Sequence, residues 1–146
     1  MIPSKLPKCA TGVCFHHLGL LTDNPEAATA ALSVLGYSAG EPVIDHLQDV
    51  TLRMADVGDV TAKIEIITPR SPDGPLSSLL RRRGDYMYHS CFTVKNVEDI
   101  KASIVEAGLR FVTLSSSKPA ILFDGAQVSF HSIEGVGLVE FIEYVS

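Results

Sequence analysis

Two histidines and two glutamates recur at matched places in this sequence, and together they make a donor set for a divalent metal. His17 opens the stretch HLGLLTDNPEAATAALSVLGY, and His89 opens HSCFTVKNVEDIKASIVEAGL. Glu65 interrupts the apolar run AKIEII, 48 residues after His17; Glu140 interrupts GLVEFI, 51 residues after His89. A carboxylate inside an apolar strand needs a compensating partner, because burying a lone charge is costly. Two neutral imidazoles and two carboxylates balance one divalent cation, and this mixed N/O set suits Fe, Co, Ni, Zn or Mn better than a thiolate site would. Open positions would remain for water or substrate.

The elements that must position these four residues are legible as a repeat. Asn24 and Asn96 each lie seven residues after their histidine, Glu26 and Glu98 nine after, and Gly36 and Gly108 nineteen after. In each copy the Asn is placed to cap a helix, the Glu sits in the first turn where a carboxylate favours the dipole, and the Gly ends the helix in a left-handed conformation. Strands are expected over about 41–45, 50–55 and 60–68 in the first copy, and 110–114, 119–123, 127–132 and 137–144 in the second. The intervening PRSPDGPLSSLLRRRGDYM reads as a connector whose short helix begins at Pro75 and ends at Gly84.

This order predicts an α+β fold: one domain over 1–146, built from βαβββ modules at about 12–69 and 86–145 with a connector at 70–85. Two equivalent units around a pseudo-twofold axis bring equivalent positions close together, here His17 with His89 and Glu65 with Glu140. His16 competes with His17, but strand neighbours point to opposite faces and the repeat phase selects His17. His46 and His131 have no counterpart in the other copy, which assigns them surface or loop roles. The run Arg81, Arg82, Arg83 reads as a solvated helix end, with a phosphate patch as its competitor.

Composition bounds the rest. The 146 residues are 46% hydrophobic and 20% charged, enough apolar material for a packed core. Twelve basic against 17 acidic residues give a net charge of -5, the wrong sign for binding a nucleic-acid backbone. No apolar run approaches the roughly 18 residues that span a bilayer, so no membrane partner is expected. The start of the chain, with Lys5, Pro7 and Lys8, lacks the apolar stretch of a signal peptide, and a cytoplasmic location follows as an expectation. Cys9, Cys14 and Cys91 form no Cys-x-x-Cys pair and read as buried or idle thiols.

The segments FHHLGLLTD, AKIEIITP, GPLSSLLRRRG followed by YHSCF, and GLVEFIEY resemble methylmalonyl-CoA epimerase and its relatives in the glyoxalase/bleomycin-resistance/extradiol-dioxygenase, or vicinal-oxygen-chelate, superfamily. The resemblance covers most of residues 14–145. It implies a glyoxalase-like pair of half-barrels around one divalent metal ion, any of Co, Ni, Zn, Fe, Mn or Mg, with His17, Glu65, His89 and Glu140 as ligands. Glu65 stands where the epimerases commonly carry Gln.

The activity implied is that of a metal-dependent isomerase, epimerase or lyase that abstracts a proton alpha to a metal-bound carbonyl. Glu140 matches the base that also touches the metal. Leu47 occupies the place of the second base, which leaves Asp49, with Asp45, Tyr86 and Tyr88, as candidates for that role. Gln48, Tyr86 and Tyr88 are the candidate substrate-binding residues. By the same analogy the partner is a small-molecule substrate, an acyl-CoA among the candidates, and the protein is a homodimer. A glyoxalase-like enzyme, an extradiol-dioxygenase-like enzyme and a non-catalytic resistance-type binding protein are the competing readings.

Overall fold

A computed structural model describes residues 12–58 and 62–144. Lys5, Pro7, Lys8 and Cys9, and the first two positions of the strand expected from residue 60, lie outside the described residues. Among the described residues, nine strands and three helices follow in order: β1 (Val13–Leu21), α1 (Pro25–Val34), β2 (Ser38–Ala39), β3 (Val43–Asp45), β4 (Val50–Asp56), β5 (Lys63–Pro69), α2 (Pro75–Arg83), β6 (Tyr86–Val94), α3 (Val97–Glu106), β7 (Phe111–Pro119), β8 (Gln127–Ile133) and β9 (Gly137–Glu143). The chain divides into two compact units. The N-terminal unit is His17–Tyr88; the C-terminal unit is His89–Ser146 together with the described part of Met1–His16.

Each unit repeats one plan. In the N-terminal unit the strand order is β2-β4-β5-β1, with β3 also on β4; in the C-terminal unit it is β6-β9-β8-β7. The first strand of each repeat pairs parallel with its last, β1 with β5 and β6 with β9, while the other pairings are antiparallel. Parallel neighbours need a long crossover, and α1 and α3 belong to those crossovers.

The helix ends follow the sequence repeat. The Ala27 N–H donates to Asn24 Oδ1 at 3.2 Å and the Asp99 N–H to Asn96 Oδ1 at 3.1 Å. At the other end Gly36 (φ +96°) and Gly108 (φ +81°) take the left-handed conformation. Past them, Tyr37 N–H bonds to Leu32 O at 2.8 Å and Leu109 N–H to Ile104 O at 3.2 Å, so the last carbonyls of both helices are satisfied in the same way.

Helices α1 and α3 each cover one face of the strands in their own unit. Ala28 and Leu32 of α1 pack with Leu20, Ala55, Ile64 and Ile66. Val97, Ile100 and Ile104 of α3 pack with Val94, Ile133, Val139 and Phe141. Because strand side chains alternate, the odd residues of β5 and the even residues of β9 are left facing away from the helices, and Glu65 and Glu140 are among them.

Three expectations are corrected. Residues 119–123 do not form a separate strand: β7 runs unbroken to Pro119 through register shifts at Thr113/Ser115 and Ser115/Lys118, and Ile121–Phe123 makes a 3-10 turn. Asp124 and Gly125 close that turn with positive φ, a conformation Asp tolerates and Gly takes freely. Cys14 is disulfide-bonded rather than an idle thiol. His131, expected at the surface, is a core residue, as described below. Among the described residues no helix is long and apolar enough to cross a membrane.

Candidate metal centre

In each unit the histidine of the first strand meets the glutamate of the last. Glu65 pairs in register with Gly19, two residues past His17, and Glu140 pairs with Cys91, two residues past His89. The register offset is therefore the same in both repeats, and period-2 alternation puts each Glu on the face of its own His. His17 Nε2 stands 3.5 Å from Glu65 Oε1, and His89 Nε2 stands 3.4 Å from Glu140 Oε1. All four residues are buried, at 0%, 3%, 4% and 3% exposure for His17, Glu65, His89 and Glu140.

These spacings fit shared coordination. A charge-assisted N–H···O bond settles at about 2.7–2.9 Å, shorter than either pair. Two ligand atoms about 2.1 Å from one ion, separated by roughly 90–110°, stand about 3.0–3.4 Å apart. The donor chemistry agrees: each pair offers one imidazole nitrogen and one carboxylate oxygen able to hold a divalent ion. Phe130, directly across from Glu140 on β8, sets its ring edge-on to His89 with centroids 5.3 Å apart.

His16 is buried but turns elsewhere, meeting the Phe123 ring edge-on at 5.2 Å. The remaining sequence candidates make the following contacts. Asp49 sits in the turn after β3 with φ +54°. Its carboxylate accepts from the Ser71 hydroxyl and lies 3.6 Å from Arg70 Nη1. Gln48 donates through Nε2 to the buried Asp45 at 2.9 Å, and Asp45 also accepts the Leu47 and Gln48 amides at 3.0 and 3.1 Å. Both residues are thus engaged in holding the turn. Tyr86 and Tyr88 share an edge-on contact at 6.2 Å, and the Arg83 guanidinium lies over Tyr86 at 4.5 Å. Strand alternation puts both tyrosines on the face of β6 opposite His89. His46 is exposed, 3.3 Å from Arg70 Nη1.

His131 was missed as a structural residue. It is 2% exposed on β8, beside the stacked rings of Phe111 and Phe141, with centroids at 4.9 and 5.2 Å. Thr113 Oγ1 bonds its Nδ1 at 3.0 Å and Ser129 Oγ its Nε2 at 2.7 Å. The alternation in VSFHSI, which sets Ser129, His131 and Ile133 on one face, was the signal available. Burial pushes the His131 pKa below its ordinary 6.5; Glu98 opposes this and Lys101 adds to it.

With the folded value depressed, the unfolded chain holds the proton more tightly. His131 therefore contributes stability that is full above about pH 6.5 and lost as pH falls toward the folded value. Denaturant unfolding at a series of pH values from 7.5 to 5 should show wild type losing stability faster than His131→Asn. Parallel profiles would remove His131 as the cause.

The architecture and its buried donors define a class first: a duplicated α+β domain of the glyoxalase-like kind, with His/Glu pairs able to hold a metal. The sequence model of the Glyoxalase/Bleomycin resistance protein/Dioxygenase superfamily matches residues 16–130, and the chain belongs to that family. Methylmalonyl-CoA epimerase from Mycobacterium tuberculosis is similar in structure, with a TM-score of 0.72 at 18% identity over 97% of this chain and 93% of that one. A hypothetical protein from Bacillus halodurans C-125 gives 0.71 at 23% identity, over 92% and 96%. A variant of Streptomyces coelicolor methylmalonyl-CoA epimerase in complex with 2-nitronate-propionyl-CoA gives 0.68 at 19%, over 90% and 97%. At these identities the likeness is one of fold. No curated protein matches the chain in sequence.

Proposed function

We propose that this chain is a metal-dependent isomerase, epimerase or lyase in which His17, Glu65, His89 and Glu140 hold one divalent cation and Glu140 takes a proton from the carbon next to a carbonyl. The observation that carries the reading is the repeated His/Glu pair, with the same register offset and burial in both units. A divalent cation in such a set supplies Lewis-acid stabilisation of the negative charge that develops when the proton leaves. The Glu140 carboxylate accepts the proton and can return it. Burial of Glu140 and the Phe130 ring beside His89 keep that carboxylate away from bulk water.

The bonds that hold Asp49 and Gln48 in their turn favour a one-base reaction. A single carboxylate can shift a proton between adjacent carbons, as in a glyoxalase-like isomerisation, whereas epimerisation needs proton delivery to the opposite face. The complex of a structural neighbour with 2-nitronate-propionyl-CoA makes acyl thioesters the first substrates to test. Metal-loaded protein incubated in deuterated water with acyl-CoA esters and with hydroxyacyl thiol adducts should incorporate deuterium at the carbon next to the carbonyl, and lose this on chelation. Silence with both classes would overturn the proposal.

A further inference from the structure

A cleft of about 480 Å³ lies further along the C-terminal sheet from Glu140, at the β8–β9 turn. Phe130 lies directly opposite Glu140, and Ser132, two residues further along β8, shares its face. Val112 of β7 pairs with Ser132 and shares it too. The intervening Phe111, His131 and Ile133 face the α3 side instead. Ser132 and Val112 line the cleft together with Arg110, Glu134 and Val136, and Ile133 borders it from the end of the strand. Its near wall is about 7 Å along the strand from the position opposite Glu140.

The lining is chemically specific. The Arg110 side chain is 79% exposed, and its Nε stands 3.9 Å from Glu134 Oε1, beyond hydrogen-bond range. An exposed pair of this kind contributes little, so the guanidinium keeps donors for a planar or tetrahedral anion. Val112 and Val136 are large apolar side chains left exposed at the same cleft, and the Ser132 hydroxyl adds a donor. The Glu134 carboxylate disfavours an anion on its own side of the cleft, so an anion is received on the edge of the guanidinium turned away from it.

We propose that this cleft receives the far end of the substrate, and that this end is an anionic group, carboxylate or phosphate, joined to the reacting carbon by an apolar spacer on the order of 10 Å. The inference rests on the reading of Glu140 as the base, and it narrows the substrate class to bifunctional molecules with a carbonyl at one end and an anion at the other. Arg110 takes the anion, and Val112 and Val136 flank the spacer.

The test uses metal-free protein and involves no turnover, so its outcome is separate from that of the exchange experiment. Amide chemical shifts of the 15N-labelled chain are followed during titration with hexanoate, hexyl phosphate and the neutral hexanamide. Hexanoate or hexyl phosphate should shift Val112, Ser132 and residues 134–137 and bind at least about fivefold more tightly than hexanamide. Arg110→Gln should abolish that preference while leaving hexanamide unchanged. Whichever anion binds more tightly identifies the headgroup. Equal affinity for acid and amide, a preference that survives Arg110→Gln, or shifts confined to other residues would overturn the inference even if metal-dependent exchange is observed.

Discussion

Replacing His89 by Ala should abolish the stabilisation that a divalent metal gives this protein. Ligands that bind only the folded state stabilise it by mass action, by about 4 kcal/mol at a thousandfold excess over Kd, which for a chain of this size raises Tm by roughly 10 °C. Titration of the wild type with Co, Ni, Zn or Mn should produce a rise of that order for at least one ion, with about one ion bound per chain. His89 is 4% exposed with its Nε2 3.4 Å from Glu140, so the variant loses an inward-facing donor that water can replace only poorly. Its affinity should fall at least about a hundredfold, since even outer-shell changes at metal sites cost 10–100-fold.

Each variant is compared with and without metal, so the packing lost with the imidazole cancels. His46→Ala is the control, because His46 is exposed and lies beside Arg70; its metal-dependent rise should match wild type. A full rise in His89→Ala, or none in the wild type with any of these four ions or with Fe(II) or Mg, would refute shared coordination and turn the interpretation toward a binding protein.

The parts of this structure that were legible in the sequence are those fixed by local chemistry repeated twice. Asn24 and Asn96 cap because a short polar side chain seven residues after each histidine precedes a helix-forming run, and both caps are made. Gly36, Gly108 and Gly84 end the three helices, each with positive φ. Pro75 begins α2 where a missing N–H costs nothing. Glu65 and Glu140 stood out because each breaks an apolar strand, and a register that lines each Glu up with its own His explains why the breaks are there.

What was not legible depended on partners distant in the chain. His131 looked unattached because its ring is satisfied by Thr113, 18 residues away, and by the Phe111 and Phe141 rings. The Asp49 carboxylate accepts from the hydroxyl of Ser71, 22 residues on, a partner that no local pattern announces. The end of β7 was misassigned because apolar Ile121, Leu122 and Phe123 suit a strand, while the turn that follows winds them into a 3-10 segment. In each case local composition was a fair guide to burial or polarity and a poor one to the partner.

The duplication leaves two carboxylates of equal standing, and exchanging each for its amide should separate them. Gln keeps the size of Glu and an oxygen able to ligate, but it cannot accept a proton at neutral pH. Glu140→Gln should retain most metal-dependent stabilisation while deuterium exchange into a responsive thioester falls about 10²–10⁴-fold, the usual contribution of a positioned base. Glu65→Gln should bind metal comparably and lose less than about tenfold in exchange. The asymmetry is expected from the surroundings: Glu140 faces Phe130, on the sheet face that also carries Ser132 of the Arg110 cleft, whereas Glu65 pairs across its sheet with Met54. If Glu65→Gln instead loses exchange with its metal in place, the base belongs to the N-terminal repeat. If both variants exchange at the wild-type rate, neither carboxylate is the base, and proton abstraction by this ligand set is excluded.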